Sequence, residues 1–203
     1  GPTIPKEGLE QIIACFLKHA ASGYAVLTGS MPPGVPDETY AQLTEEIMTR
    51  GGKAFVDAYG RVLRMALEAK PFLLRTNRYV LEHLNKQQLG SFEAVVEAAR
   101  DIQRRGTRYV CISLGADGAV LVDERSSYHC GSPRVRVSST VGCGDALLAG
   151  MLAACRQSQE TLEMLRFGIA CASATASHPG TGLFDRSEIG DRCQDLVITE
   201  LSI

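Results

Sequence analysis

The sequence lacks the features that mark nucleic-acid-binding and membrane-spanning proteins. Its 203 residues carry 21 Lys and Arg against 23 Asp and Glu, a formal net charge of -2, and no block of like charge stands out. Binding to nucleic-acid phosphates needs a basic surface, so we expect no nucleic-acid partner. No apolar stretch reaches the roughly 18 residues that a membrane-spanning helix requires. We therefore expect no membrane partner.

The sequence also lacks a metal-binding or disulfide framework. There are 7 cysteines, an odd number, and none of them forms a Cys-x-x-Cys pair. They are scattered through apolar or helical contexts, and no secretory signal is present, so free thiols in a reducing compartment are expected. The 4 histidines share no ligand spacing. We predict a cytoplasmic protein without a metal site built from its own side chains.

What the sequence does contain is an alternation of short apolar runs with segments of helical period. Such alternation predicts an α/β fold, in which helices cover both faces of a mainly parallel sheet. The runs predicted as parallel strands are 24–28, 54–57, 72–75 and 109–113. The helices predicted in this part of the chain are 6–21, 36–50, 62–68 and 91–105.

The pattern changes after residue 118. Three apolar segments, 119–123, 128–130 and 135–137, follow one another too closely for helical crossovers. They are predicted as antiparallel strands at one edge of the sheet. Helices over 145–157, 161–178 and 185–196, and a last short strand, complete the chain. No repeat, low-complexity tract or long linker interrupts it, so residues 1–203 are predicted to form a single domain.

The segment most indicative of function is Gly142-Cys143-Gly144-Asp145, which opens a predicted helix. Glycines allow the backbone N–H groups to turn toward one point, and the positive end of the helix dipole lies at the same point. This arrangement predicts an anion site. Asp145, in the first helical turn, would face whatever anion sits over the glycines.

A carboxylate beside a phosphate site makes chemical sense if it takes a proton from a nucleophile that attacks phosphorus. Asp145 as a plain helix cap remains the alternative on these residues alone. Two other phosphate motifs are excluded. A Walker loop would need Lys and then Ser or Thr after the second glycine, and a dinucleotide fingerprint would need a small residue in place of Leu147.

With its surroundings, the segment resembles a signature of the ribokinase-like sugar kinases, the PfkB family. The family's Thr-x-Gly-Ala-Gly-Asp run reads Thr-Val-Gly-Cys-Gly-Asp at 140–145. Three more segments match in order: VLTGSMPPGVP at 26–36, LLRTN at 73–77 and ISLGADGAVLV at 112–122. The branch that looks most similar phosphorylates sugar phosphates and includes 1-phosphofructokinase and tagatose-6-phosphate kinase.

The resemblance implies a ribokinase-like three-layer α/β/α sandwich with ATP and Mg²⁺ as cofactors and a sugar phosphate, fructose 1-phosphate or tagatose 6-phosphate, as the acceptor. It implies that Asp145 is the catalytic base and that the amides of Gly142, Cys143 and Gly144 hold the transferred phosphoryl group. The residues implied along the nucleotide are Arg75, Asn77, Ser113, Leu114, Gly115, Ala116, Asp117, Gly118 and Gly144. The residues implied on the substrate side are Ser30, Asp57, Gly60 and Asp145.

Two departures from the family pattern keep alternatives open. The family's Asn-x-x-Glu reads Asn-Arg-Tyr-Val at 77–80, so the acid that helps to organise metal-bound water is missing unless Glu82 replaces it. The family's N-terminal part, which holds the lid and a substrate-binding aspartate, is expected to be absent from this chain. A nucleotide-binding remnant without turnover, or a family kinase for another sugar or a nucleoside, are therefore alternatives. An uncovered sheet edge would favour a homodimer.

Overall fold

The computed structural model describes residues 1–20, 23–158, 160–182 and 184–201. Residue 21, the last of the first predicted helix, lies outside them. The helices are α1 Lys6–Ala20, α2 Thr39–Thr49, α3 Gly60–Glu68, α4 Arg78–Asn85, α5 Phe92–Arg104, α6 Cys143–Gln157, α7 Thr161–Ser177 and α8 Glu188–Gln194. The strands are β1 Tyr24–Thr28, β2 Lys53–Asp57, β3 Leu73–Asn77, β4 Tyr109–Ser113, β5 Ala119–Val122, β6 Ser127–Cys130 and β7 Ile198–Glu200.

The seven strands form one sheet whose spatial order follows the chain, from β1 to β7. β1 to β4 are parallel neighbours, joined by helical crossovers. β5, β6 and β7 each pair antiparallel with the preceding strand. The prediction of an α/β fold with parallel strands followed by an antiparallel edge is confirmed.

The sheet separates two apolar cores, which gives the predicted three layers. Alternate residues of a strand face opposite sides, so Ala54 and Val56 pack with helices α2 to α5, while Phe55 packs with α6 and α7. α6 and α7 lie against each other at a glycine: a Cβ on Gly150 would stand 2.8 Å from the carbonyl oxygen of Phe167. This close approach fixes the position of α6, whose first turn carries the Gly-Cys-Gly-Asp segment.

The same alternation decides where the polar strand ends point. Phe55, Leu73 and Tyr109 pack on the α6 side, and residues two or four positions further along each strand face the same side. Asp57, Arg75 and Ser113 therefore lie beneath the start of α6. In β1 the α6 side includes Thr28, its last residue.

The prediction of a third antiparallel strand at 135–137 is wrong. Residues 131–137 form no strand, and β7 takes the place beside β6, with Tyr128 opposite Glu200. Pro133 has no N–H to donate to a ladder. In this segment Pro133, Val135 and Val137 instead line a cleft over β4 and α7.

Helix α4 was not predicted. It begins directly after β3, and Asn77 is its N-cap: the Asn77 side chain accepts a hydrogen bond of 2.8 Å from the Val80 N–H. Asparagine is a preferred N-cap residue, so this signal was present in the sequence. The predicted helix at 185–196 is shorter in the structure, spanning Glu188–Gln194. No helix within the described ranges combines the length and apolarity that crossing a bilayer needs.

Gly118 offers a test of the turn between β4 and β5. Its φ of +85° is left-handed, and a Cβ there would lie 1.9 Å from the carbonyl oxygen of Cys130. We expect Gly118→Ala to lower the free energy of unfolding by about 3 kcal/mol, because backbone strain and a clash with backbone add up. Gly51→Ala is the control: φ is +79° but the space is open, so strain alone should cost about 1 kcal/mol. Equal losses in denaturant titrations would contradict the clash.

Candidate active site

The loop before α6 is held in a fixed shape. The Ser138 N–H donates to the carbonyl of Ala176, at the end of α7, over 2.7 Å. Gly142 has a left-handed φ of +82°, which favours glycine, and its carbonyl accepts the first helical bond from the Ala146 N–H at 2.8 Å. Gly142 is thus the N-cap of α6, and Asp145 lies in the first turn, as predicted.

The first turn of α6 presents unpaired backbone donors. The amides of Gly142, Gly144 and Asp145 have no hydrogen-bond acceptor among the described residues. Cys143 differs, because its N–H donates to the Thr140 carbonyl, though over a long 3.3 Å. Unpaired first-turn N–H groups and the helix dipole together make an anion site. The amide of Asp145 is a donor that the sequence analysis did not include.

The guanidinium of Arg75 lies directly beneath this turn. A Cβ on Gly144 would stand 2.4 Å from Nη1 and 2.6 Å from Nη2 of Arg75, so only glycine leaves room for this contact. Nη1 donates to Asp57 Oδ2 over 2.7 Å, and Nη2 donates to Ser113 Oγ over 2.9 Å. The Nε atom is buried and has no acceptor among the described residues. The positive charge of Arg75 therefore lies beneath the anion site, and its Nε–H is a hydrogen-bond donor that no described residue uses.

The surroundings of Asp57 oppose its ionisation. Its side chain is only 17% exposed. Burial is the largest influence and raises the pKa of Asp57, Arg75 acts against this, and the negative charge of Asp145 adds to the rise. The carboxylate of Asp57 is nevertheless the partner that fixes Arg75. Asp57 and Asp145 are thus close enough to influence each other electrostatically. Asp57 is paired with Arg75, and Asp145 is at the surface.

Asp145 is exposed and is held from the side of β1. The Thr28 hydroxyl donates to Asp145 Oδ1 over 3.0 Å. Asp145 and Gly142 line a groove of about 1040 Å³ between α6 and α7. Asp145 therefore faces open space above the first turn while one of its oxygens is fixed. Thr28 had no local signal in the sequence, because its partner lies 117 residues away.

A second cleft, of about 490 Å³, adjoins the anion site on its other side. Seven of the residues implied along the nucleotide or at the phosphoryl group line it: Arg75, Ser113, Gly115, Ala116, Gly118, Cys143 and Gly144. Ala172 and Ala176 of α7 form the opposite, apolar wall. The cleft thus combines a flat apolar wall with a cationic end.

Three of the implied nucleotide residues have other contacts. Asn77 caps α4 through its side chain. Leu114 packs against the core on the α2 to α5 side. Asp117 belongs to the short 3-10 helix Gly115–Asp117, and its carbonyl oxygen lies 2.7 Å from His129 Nε2. None of the three is in the lining of the 490 Å³ cleft, as far as the described residues go.

Of the residues implied on the substrate side, some line a cavity and others are engaged elsewhere. Ser30 and Gly60 line a cavity of about 220 Å³ at the ends of β1 and β2. Asp57 is engaged with Arg75 instead. Arg61, which the sequence analysis did not select, also lines this cavity, and its Nε lies 3.4 Å from Asp37 Oδ2.

Glu82 does not take the place of the missing acid at position 80. Its Oε1 accepts from the Leu89 N–H at 3.0 Å and lies 3.4 Å from Arg78 Nε, so it ties α4 to the loop before α5. Val80 packs against the core. No group of three or more Asp, Glu, His or Cys side chains suited to a metal occurs in the described part of the chain.

Comparison with known proteins decides the family. The model of the pfkB family carbohydrate kinases matches residues 11–187. The chain belongs to this family. It is 30% identical to a 1-phosphofructokinase of Bacillus subtilis over 87% of this chain and 58% of the relative. It is 31% identical to an ATP-dependent 6-phosphofructokinase isozyme 2 of Escherichia coli over 90% of this chain and 60% of the relative.

The solved structures agree with the sequence relatives. Phosphofructokinase-2 from Escherichia coli, in a complex described as containing substrates and products, matches with a TM-score of 0.90 at 30% identity. The match covers 96% of this chain and 64% of that one. The fold of this pfkB family member is therefore ribokinase-like, as predicted. The chain spans about three fifths of the length of the curated relatives that it matches.

The contribution of the Asp57–Arg75 ion pair to the free energy of unfolding can be measured with substitutions. The pair is half-buried, and removing Asp57 leaves the charge of Arg75 with little compensation, so we expect Asp57→Ala to lower the free energy of unfolding by about 2 kcal/mol. Asp37→Ala removes a carboxylate from an exposed pair and should cost about 0.5 kcal/mol. Urea titrations monitored by circular dichroism compare the two. Equal costs would show that Arg75 does not depend on Asp57.

Proposed function

We propose that the protein is an ATP-dependent sugar-phosphate kinase that phosphorylates a hydroxyl of fructose 1-phosphate or tagatose 6-phosphate, with Asp145 as the base. One observation carries the proposal: the first turn of α6 presents unpaired amides with the Arg75 guanidinium packed beneath Gly144 and the Asp145 carboxylate beside them. Family membership supports the reaction class, and the 1-phosphofructokinase relatives support the acceptor.

The residues present fit a nucleotide phosphate. The missing side chain of Gly144 lets the Arg75 guanidinium pack against the first turn, and Arg75 Nε is a buried donor without a partner in the described structure. The cleft beside them continues to the alanines of α7, which would wall the adenine. Mg²⁺ prefers oxygen ligands and usually binds through nucleotide phosphates with few protein carboxylates. We propose that it enters with ATP, supplying positive charge to the phosphates, with Asn77 nearby.

The chain's own residues would act by position and charge. Asp145 would accept the proton of the sugar hydroxyl, which makes that oxygen a nucleophile. The amides of Gly142, Gly144 and Asp145, together with Arg75, would stabilise the charge on the transferred phosphoryl group. Cys143 contributes less as a donor, because its N–H already contacts Thr140. Burial raises the pKa of the Cys143 thiol, which supports a packing role for the side chain.

The acceptor would lie on the β1 side of Asp145. Ser30 and Gly60 line the cavity there, and Arg61 adds a cation suited to a sugar phosphate. Leu114 and Asp117 would act on the nucleotide side only through the backbone of the turn that carries Gly115 and Gly118. We propose that residues 1–203 form the nucleotide-binding and catalytic portion as a single domain.

A second candidate is a nucleotide-binding protein that does not turn over. The observation that favours it is that the acid of Asn-x-x-Glu is missing. Val80 stands in its place and packs against the core, and Glu82 is hydrogen-bonded to the Leu89 N–H. Calorimetry with ATP and Mg²⁺, run beside a phosphorylation assay, separates the two candidates. Binding without turnover would favour the second candidate, and turnover would exclude it.

Assembly belongs to the proposal as well. β1 is the first strand of the sheet, and no strand of the described chain pairs with its outer edge. Val26 of this strand is 39% exposed. An open edge with an apolar side chain supports a homodimer.

The base assignment is tested by Asp145→Asn. The amide cannot accept the hydroxyl proton, so we expect kcat with fructose 1-phosphate or tagatose 6-phosphate to fall about 1,000-fold. ATP affinity measured by calorimetry should change little. Asp191→Asn, an exposed change in the first turn of α8, is the matched control and should leave kcat unchanged. Equal turnover by Asp145→Asn and the control would rule out the base.

The phosphate site is tested by Gly144→Ala. The added Cβ would overlap the Arg75 guanidinium and force it from beneath the first turn. We expect the Kd for ATP with Mg²⁺ to rise about 10-fold or more, since one charge-assisted contact is lost. Gly190→Ala adds the same methyl group in α8, where the space is open, and should leave the Kd unchanged. ATP bound equally well by both variants would contradict the proposed phosphate site.

A further inference from the structure

The hydroxyl of Thr28 joins two parts of the chain that meet only in the folded molecule. Thr28 is the last residue of β1, and its side chain lies on the face of the sheet that α6 covers. Its Oγ1 donates to Oδ1 of Asp145 over 3.0 Å. This is the one hydrogen bond to the Asp145 side chain among the described residues.

The donor is itself held in place. Thr28 is opposite Asp57 in the parallel ladder of β1 and β2. The carbonyl oxygen of Thr28 accepts a 2.6 Å hydrogen bond from the Tyr40 hydroxyl of α2. Burial, and then the charge of Asp57, raise the pKa of Tyr40, which keeps this hydroxyl a donor. A β-branched side chain has few χ1 rotamers, so a fixed backbone also fixes Oγ1.

Asp145 needs such a partner because it is exposed. An exposed carboxylate without a partner can exchange between its allowed rotamers. The hydrogen bond from Thr28 draws Oδ1 toward β1 and leaves Oδ2 as the free oxygen. Catalysis depends on holding the base in such a geometry before the substrate arrives.

We propose that Thr28 is a positioning residue, which occupies Oδ1 of Asp145 and so makes Oδ2 the oxygen that takes the proton of the sugar hydroxyl. This rests on the proposed kinase function. In that step the O–H bond of the sugar breaks and an Oδ2–H bond forms. The sugar oxygen bonds to the γ-phosphorus of ATP, and ADP leaves with the electrons of the broken P–O bond.

The first test measures the orientation of Asp145 without turnover. In protein labelled with ¹³C and ¹⁵N at aspartate, the three-bond couplings from Cγ of Asp145 to its amide nitrogen and carbonyl carbon report χ1. The unmodified protein and Thr28→Ser should show a single rotamer, and Thr28→Val should show averaged couplings. Thr199→Val, in exposed β7, is the control and should match the unmodified protein. Unchanged couplings in Thr28→Val would overturn the inference.

The second test uses kinetics. We expect Thr28→Val to lower kcat about 10-fold to 100-fold with little change in KM for ATP or sugar phosphate, because orientation rather than binding is lost. Thr28→Ser should restore kcat to within a few-fold. In an Asp145→Asn background, Thr28→Val should cause no further loss. Equal losses in both backgrounds, or loss in KM alone, would refute the positioning role.

Different results would refute the proposed base Asp145 and the positioning role of Thr28. If Asp145→Asn retains full turnover, the proposed base is wrong, whatever Thr28 does. If Asp145→Asn loses turnover while Thr28→Val keeps both its rotamer and its kcat, the base stands and the role of Thr28 is refuted. The NMR couplings decide whether Thr28 orients Asp145 even in a protein without turnover.

Discussion

The contact between the Arg75 guanidinium and the backbone of Gly144 is the constraint on which the site depends. It requires a residue without Cβ at position 144, because two guanidinium nitrogens already occupy the place where that atom would stand. It also requires that Arg75 reach upward from β3, and Asp57 and Ser113 of the neighbouring strands hold it there. A half-buried cation costs desolvation energy, which these two partners offset.

The parallel sheet explains how these partners meet. Residues at the carboxyl ends of adjacent parallel strands come to one edge, and the two-residue repeat of a strand selects the face on which they point. Asp57, Arg75 and Ser113 share the face covered by α6. The close packing of α6 on α7 at Gly150 then brings the first turn of α6 down onto them.

The departures from the family pattern change how a nucleotide would be held. Asn77 is the N-cap of α4, and Val80 and Glu82 support packing and the α4–α5 connection. The described acidic side chains at the first turn of α6 are Asp57, which is paired with Arg75, and Asp145. Arg75, the backbone amides and the helix dipole add positive charge at the same place. The described residues thus place backbone donors at this turn without a cluster of side chains suited to a metal.

Local patterns in the sequence predicted the parts of the fold that depend on local physics. Apart from α4, the helices and strands from α1 to β6 follow from apolar periodicity, and the first-turn position of Asp145 follows from glycines before an apolar helix. The strand predicted at 135–137 failed, because strand pairing depends on which partner reaches the free edge of β6, and β7 does. The preference of asparagine for N-cap positions was a signal for the role of Asn77 in α4, but the sequence analysis predicted that Asn77 binds the nucleotide.

The sequence by itself determined the α/β class and a glycine-flanked carboxylate at a helix start, since both rest on neighbouring residues whose spacing sets their geometry. Its four ordered motifs carried the resemblance to the pfkB family, which the family comparison then showed. The tertiary structure alone decided that Arg75 lies under Gly144, that Thr28 holds Asp145, and that Glu82 is engaged elsewhere. The first two contacts join residues far apart in the chain, and their distances depend on how the helices pack on the sheet, whereas Glu82 is engaged by the loop that follows α4. The spacing of residues along the chain does not predict that packing.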